Sequence, residues 1–206
     1  LSSSSAASDV YKRQLQPSLE NSDYVITTDV DMLPLSDRVF KRGFEILDSE
    51  GGFLICRDVL SRGQYPICYN IASPGVWKQL NFVSSVREIR GFMIDEFSGA
   101  TSYSGSRGGA GWFLDQELLY KLVSNFEKSG GKVTRLQDRD SKHKRFDRAF
   151  SPFPLNWVAL PLLFALRFTD YHVHHPIRKY SRYLRALERT MWIKRQLTTF
   201  LKSKLV

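Results

Sequence analysis

The sequence has few of the features that mark several protein classes. Its 206 residues include only two cysteines, Cys56 and Cys68, which argues against a disulfide scaffold and predicts free thiols, as is usual in the cytoplasm. No apolar run reaches the ~20 residues of a membrane span, because the longest candidate, Leu155–Phe168, contains Pro161 and Arg167. The hydrophobic fraction of 42% excludes a disordered chain. We therefore expect a folded cytoplasmic protein.

Motifs of common nucleotide and zinc sites are also missing. The Gly/Ser-rich stretch 99–111 has neither the G-x-x-x-x-G-K-[ST] spacing of a phosphate loop nor G-x-G-x-x-G after a strand. The sequence contains no C-x-x-C and no H-E-x-x-H. A nucleotide loop or a zinc site of these types is therefore not expected.

Composition and charge divide the chain into three parts. Residues 1–14 are rich in Ser and Ala and resemble a translated sequencing-adapter scar, so we expect a non-native or disordered leader on a fragment. Residues 15–178 are predicted to form the main folded domain. Residues 171–206 carry nine Lys and Arg against one Glu, and most of the net charge of +9 lies there. The pattern of residues 179–206 predicts a basic amphipathic helix. The basic side of this helix either contacts phosphate groups or is only exposed to solvent.

The pattern of apolar residues predicts an α/β protein with a mixed central sheet flanked by helices. The predicted strands are Tyr24–Thr28, Gly51–Cys56, Tyr65–Ala72 and Thr169–Pro176. Helices are predicted to begin at Val76, after a Pro74-Gly75 turn, and at Trp112. Met32–Leu35 is predicted to turn the chain out of the sheet, because Pro34 lacks a backbone donor.

Two aspartates, Asp29 and Asp31, follow the first predicted strand. The period of two along a strand places both carboxylates on one side of the backbone, where they can bind one cation. A hard divalent cation takes carboxylate oxygens and keeps water or phosphate oxygens in its shell. The flanking segments are apolar, and two carboxylates are costly to bury there without compensation. The pattern predicts a metal–diphosphate site, and a solvated turn is the alternative.

A second cluster of polar residues lies near the end of the predicted domain. Asp170, His172 and His174 share one face of the last predicted strand, and neutral imidazole is a good ligand for ions such as Mn²⁺ or Zn²⁺. One of these histidines would complete the metal site. The alternatives are a structural zinc site and surface histidines without a ligand role.

A third pair, Asp115 and Gln116, lies at the start of the helix predicted from Trp112. A carboxylate at this position is favoured by the helix dipole and by capping. The residues alone leave open whether Asp115 caps the helix or takes part in chemistry.

The segments YVITTDVDMLPLS, YPICYNIASPGVW, GWFLDQELL and TDYHVHHP, in this order, resemble the nucleotide-sugar-dependent glycosyltransferases of the GT-A fold. The resemblance covers about residues 20–178 and implies the C-terminal portion of that Rossmann-like fold. It implies that Asp29 and Asp31 bind Mn²⁺ or Mg²⁺ bridging the diphosphate, with His172 or His174 as a further ligand. The first βαβ part of that fold, which binds the nucleoside, is expected to be missing.

The resemblance further implies transfer of a sugar from a nucleoside-diphosphate donor to a hydroxyl of a glycan or lipid-linked acceptor. Asp115 and Gln116 would lie beside the donor sugar and the acceptor, with Asp115 as base or as orienting group. Basic residues of the loop 142–145, or Arg178 and Lys179, would bind the diphosphate.

Three aromatic residues, Tyr69, Tyr103 and Trp112, are candidates for stacking on a sugar, with a place in the core as the alternative.

Two functions of other classes remain open. The same acids and histidines suit a divalent-metal phosphohydrolase. A basic binding domain is the other alternative, in which Trp192 and Ile193 lie opposite a Lys/Arg face on the helix 178–204. A transferase acting on lipid-linked acceptors would work at the cytoplasmic membrane surface through this helix, and nucleic acid is not an expected partner.

Overall fold

Short strands and helices alternate along the chain, which makes this a mixed α/β protein, as predicted. The computed structural model describes residues 16–29, 31–60, 63–81, 85, 87–88, 113–140, 142–146, 168–173, 184–185, 187–193 and 196. The strands are β1 (Val25–Thr27), β2 (Met32–Pro34), β3 (Phe53–Ile55), β4 (Asn70–Ala72), β5 (Val133–Arg135), β6 (Arg145–Phe146) and β7 (Asp170–His172). The helices are α1 (Arg38–Glu50), α2 (Pro74–Asn81) and α3 (Leu114–Lys128), and a 3₁₀ helix spans Gln16–Leu19. Residues 184–185, 187–193 and 196 are helical and are called the C-terminal helical segment below.

The chain divides into two units, residues 1–29 with 42–141 and residues 30–41 with 142–206. The first unit contains a four-stranded sheet of order β1-β4-β3-β5. Strand β4 is antiparallel to both β1 and β3, and β3 is parallel to β5. All three residues of β3 are buried, as is typical of a central strand covered on both faces.

Helices cover both faces of this sheet. On one face, Phe53 and Ile55 of β3 belong to an apolar cluster with residues of α2 and α3, and the Phe53 ring meets Trp77 edge to face at 4.9 Å. On the other face, Gly43 of α1 lies so close to Leu54 and Ile71 that a Cβ there would come within 3.0 Å of both. The sheet of the first unit is therefore flanked by helices, as predicted, but the described strands form two sheets and not the single central sheet that the sequence predicted.

Helix α3 forms because its apolar residues recur along one stripe. Leu118, Leu119, Leu122, Val123 and Phe126 are all buried in the apolar cluster. Acidic residues lie in the first turn and Lys128 in the last, which suits the helix dipole. The helix ends before a glycine at position 130 with φ of 92°.

The second unit contains a three-stranded sheet of order β2-β7-β6, with β2 antiparallel and β6 parallel to the central β7. One face is apolar: Tyr171 and Val173 pack with Leu35 and with Leu187 of the C-terminal helical segment. The period of two places Asp170 and His172 on the opposite face. Strands β6 and β7 therefore carry apolar residues on one face and polar residues on the other, whereas Met32 and Pro34 of β2 add apolar residues to the face of Asp170 and His172.

The segment at Met32 differs from the prediction. It leaves the first sheet, but Met32–Pro34 forms strand β2 of the second sheet instead of a turn. Pro34 is tolerated because β2 is an edge strand, where a missing backbone donor leaves no neighbour unpaired.

Two further boundaries differ. The predicted strand Tyr65–Ala72 is extended only from Asn70 on, because Tyr69 has a φ of 65°, outside the extended region. The predicted turn at Pro74-Gly75 is the first turn of α2, where proline is favoured because its missing N–H needs no partner. Ser73 caps this helix, since its Oγ accepts a hydrogen bond from the Val76 N–H at 3.3 Å.

Helix α1 and strand β5 were not predicted from the sequence. Charged residues interrupt the α1 segment, although Val39, Ile46 and Leu47 fall at helical spacing and are buried. Strand β5 has only three residues, none fully buried. The prediction that the two cysteines form no disulfide is confirmed, since Cys56 and Cys68 are both buried thiols that are not joined to each other.

Candidate functional site

The pairing of β2 with β7 brings together two residues that are distant in the sequence. Met32 lies opposite His172, so that Asp31, directly before β2, comes next to the end of β7. The Val173 N–H donates a hydrogen bond of 2.8 Å to the Asp31 carbonyl and extends the ladder by one more residue. Backbone pairing therefore fixes the position of Asp31 relative to His172.

The side chains of Asp31 and His172 meet on the polar face of this sheet. Asp31 Oδ2 lies 3.3 Å from His172 Nε2, and the two side chains are 17% and 19% exposed. Both atoms are thus close together and still reachable from solvent. These are two of the four residues that the sequence analysis predicted as metal ligands.

The distance fits two ligands of one cation. Two neighbouring ligands of an octahedral ion, each bound at about 2.1 Å, lie about 3 Å apart. Carboxylate oxygen and imidazole nitrogen are both ligands of Mn²⁺-like ions. Among the described residues, no group of three or more His, Cys, Asp or Glu side chains is arranged to hold a metal. The described part of the site therefore offers one carboxylate oxygen and one imidazole nitrogen that could bind the same cation, and without a metal the two side chains contact each other directly.

A buried charge cluster lies beside this pair on the same strand. The Asp170 side chain is 1% exposed, and its Oδ2 accepts a hydrogen bond of 2.9 Å from Arg145 Nε. Its Oδ1 lies 3.0 Å from His143 Nε2, a short contact that lacks hydrogen-bond alignment. Buried charges of this kind need partners, because an unpaired ion is expensive to desolvate.

This cluster revises two interpretations of the sequence. Asp170 was placed with the histidines as a candidate ligand face, and it instead holds Arg145 and His143. Arg145 of the basic loop was a candidate for binding diphosphate, and its guanidinium is engaged by Asp170. His143 was not predicted as a site residue. The only signal in the sequence for the polar face of β7 was the spacing of two between Asp170 and His172.

Asp29, the first of the two aspartates that follow β1 in the sequence, belongs to the first unit. Asp29 is half-buried and lies two residues after β1, and Val30 lies outside the described residues. Strand β1 ends at Thr27 and β2 begins at Met32, so the two aspartates are not part of one continuous strand. The expectation that both aspartates lie on one strand is therefore wrong, and the role of Asp29 as a ligand stays a prediction.

The predicted catalytic pair lies in the first turn of α3. The Asp115 Oδ1 accepts a hydrogen bond of 2.8 Å from the Gln116 N–H, so this carboxylate stabilises the helix start. The Gln116 Oε1 is buried and makes no hydrogen bond among the described residues. A structural role of Asp115 is thereby observed, and its catalytic role stays a prediction.

Several predicted residues fall outside the described part of the chain. These are His174, Arg178 and Lys179 among the site residues, and Tyr103 and Trp112 among the aromatics.

Tyr69, the remaining candidate for sugar stacking, is 2% exposed and belongs to the core of the first unit.

An open cavity of about 550 Å³ lies in the first unit along β1. Its lining includes Gln16, Glu20 and the residues from Tyr24 to Thr28, which contain β1. The volume is within the range of small-ligand pockets, and β1 forms the edge of its sheet there. The Asp31–His172 pair is not part of this lining.

Comparisons of the chain with protein-family models, with curated proteins and with solved structures found no match. The helices of the described residues include none with the length and apolar character needed to cross a bilayer.

Proposed function

We propose that the protein is a metal-dependent glycosyltransferase of the GT-A type, which moves a sugar from a nucleoside-diphosphate donor to a hydroxyl of a glycan or lipid-linked acceptor. The observation that carries the proposal is the 3.3 Å distance between Asp31 Oδ2 and His172 Nε2. The sequence motifs assigned one cation to these two residues, which are separated by 140 positions in the chain. Their contact supports that assignment.

The chemistry of the two side chains suits Mn²⁺ or Mg²⁺. When bound, such an ion would neutralise the charge that develops on the departing nucleoside diphosphate. Asp31 supplies a negatively charged oxygen and His172 a neutral nitrogen, and their partial exposure leaves room for phosphate oxygens and water. The backbone ladder between β2 and β7 holds both in place. By the same resemblance, Asp29 is a further ligand, Arg178 and Lys179 bind the diphosphate, and Asp115 with Gln116 acts at the acceptor.

The proposal is tested first by calorimetric titration of Mn²⁺ into the chain. Asp31→Asn and His172→Gln should each weaken Mn²⁺ binding at least about tenfold, because the first removes the negative charge of a ligand and the second removes the imidazole nitrogen. Asp37→Asn is the matched control, since Asp37 is an exposed aspartate of the same unit that pairs with Lys41. Equal Mn²⁺ affinity in all three variants and the wild type would contradict a metal site at Asp31 and His172.

A second measurement separates the transferase from a phosphohydrolase. We expect pyrophosphate, which represents the diphosphate part of the donor, to bind only with Mn²⁺ present, and we expect no release of inorganic phosphate from phosphoesters. Release of phosphate from phosphoesters at a rate that depends on Asp31 and His172 would assign the site to hydrolysis. A cytoplasmic location is part of the same proposal.

A further inference from the structure

The C-terminal helical segment presents two large apolar side chains to solvent. Trp192 is 63% exposed and Ile193 is 51% exposed, the highest values among the large hydrophobic residues that the structure describes. They are adjacent in the sequence and form one protrusion. Exposed apolar residues that cluster in this way mark interaction surfaces more often than isolated ones do.

The opposite side of the same segment accounts for its attachment to the second unit. Leu187 is fully buried, and Leu184 and Met191 pack on the same apolar cluster. These three residues are spaced by three and four positions, which is one face of a helix. Trp192 and Ile193 are therefore not needed for the core.

The outward face is basic as well as apolar. Arg185 and Arg189 are exposed and lie four residues apart. Trp192 and Ile193 follow Arg189 by three and four residues, which places all four side chains on one side of the helix. The expectation that Trp192 and Ile193 lie opposite the basic face is therefore wrong for these two arginines. Glu188 is exposed too and is the single acidic residue of the last 36. The sequence around this face has a ninefold excess of positive over negative side chains.

We propose that this face, made by Arg185, Arg189, Trp192 and Ile193, docks the protein on an anionic lipid surface. Indole is favoured at the headgroup level of a bilayer, and an aliphatic side chain beside it reaches the acyl boundary. The arginines match the negative surface potential of such a membrane. A nucleic acid would also match the charge, but it offers no apolar region for Ile193, and a lipid surface accommodates the whole face. This inference does not depend on the transferase activity.

The test is co-sedimentation of the full chain with phosphatidylserine–phosphatidylcholine vesicles and with phosphatidylcholine vesicles. We expect binding to the anionic vesicles alone, with weakening at high salt because the arginines act through screened charges. Trp192→Ala should weaken binding about tenfold through lost apolar burial, and Ile193→Ser should also weaken it. Val59→Ala is the matched control, since Val59 is a similarly exposed apolar side chain in the other unit, and it should bind like the wild type.

The charged residues of the face should change vesicle binding in opposite directions when they are replaced. Arg189→Gln should weaken binding to anionic vesicles about fivefold, whereas Glu188→Gln should strengthen it by a similar factor, since each changes the local charge by one in opposite directions. Circular dichroism verifies that each variant is folded, which is expected because the substituted side chains are exposed.

Three results would overturn the inference. The first is absence of binding to the anionic vesicles. The second is unchanged vesicle binding in both Trp192→Ala and Ile193→Ser. The third is evidence that something else binds this face. A DNA or RNA oligonucleotide could bind more tightly than vesicles do, or light scattering could show a dimer that Trp192→Ala converts to a monomer while the protein binds no lipid.

Discussion

Replacing Asp170 by asparagine removes the central charge of the second unit. The carboxylate is 1% exposed on the middle strand of the sheet β2-β7-β6 and contacts both Arg145 and His143. The Arg145 side chain is itself largely buried, at 15% exposure. The substitution would therefore remove the negative charge that accepts a hydrogen bond from the Arg145 guanidinium, while the shape of the side chain is nearly unchanged.

The expected loss follows from this burial. Removing one partner of a buried ion pair costs about 3–5 kcal/mol, against about 0–1 kcal/mol for a surface pair. For a chain of this size, each kcal/mol lowers Tm by about 2–4 °C, so we expect a fall of about 6–20 °C. Urea and thermal unfolding followed by circular dichroism measure both quantities. Asp37→Asn is the control, because Asp37 and its partner Lys41 are mostly exposed.

A double substitution tests the cause. If the cost arises from the uncompensated guanidinium, Asp170→Asn combined with Arg145→Gln should cost clearly less than the sum of the two single variants. A loss below about 1 kcal/mol in Asp170→Asn, or strict additivity in the pair, would refute the reasoning that Asp170 acts as the counterion of Arg145.

Two further predictions concern the first unit. Gly52→Ala should lower the unfolding free energy measured in urea by about 1–3 kcal/mol, because the Gly52 φ is 90° and a Cβ there would meet the Lys132 carbonyl oxygen. Gly51→Ala is the control: the Gly51 φ is 68° and the space around it is open, so this variant should cost only about 1 kcal/mol. Loss of stability in Gly51→Ala as large as in Gly52→Ala would show that the close approach is unimportant. Burial raises the pKa of Cys56 to about 12 from an ordinary value of 9.0, so the folded thiol keeps its proton where the unfolded one loses it. The unfolding free energy should therefore fall by about 1.4 kcal/mol per pH unit between pH values of about 9 and about 12, and Cys56→Ala should lack this contribution in urea titrations. Parallel pH profiles for the two proteins would contradict it.

The residues of the candidate site differ in how well they could be predicted from the sequence. Asp31 and His172 were found because carboxylates after an apolar strand and histidines on a strand are unusual combinations. The structure adds that His172, at the end of β7, lies next to Asp31. The burial of Asp170 was not predictable, because a sequence does not state which face of a strand another strand or loop covers. His143 was missed for the same reason, since it lies in a segment that reads as a charged loop.

The sequence by itself determined the α/β class, the strands β1 and β3, helix α3 and the free thiols, because each depends on local spacing of apolar residues or on cysteine number. The tertiary structure alone decided that Met32–Pro34 pairs with Asp170–His172, which turns a predicted turn into a strand. It also decided where helix α1 forms and that β5 joins β3. The physical reason is that two strands more than a hundred residues apart in the sequence pair where their apolar faces become buried together. No local sequence pattern encodes the register of such a pair.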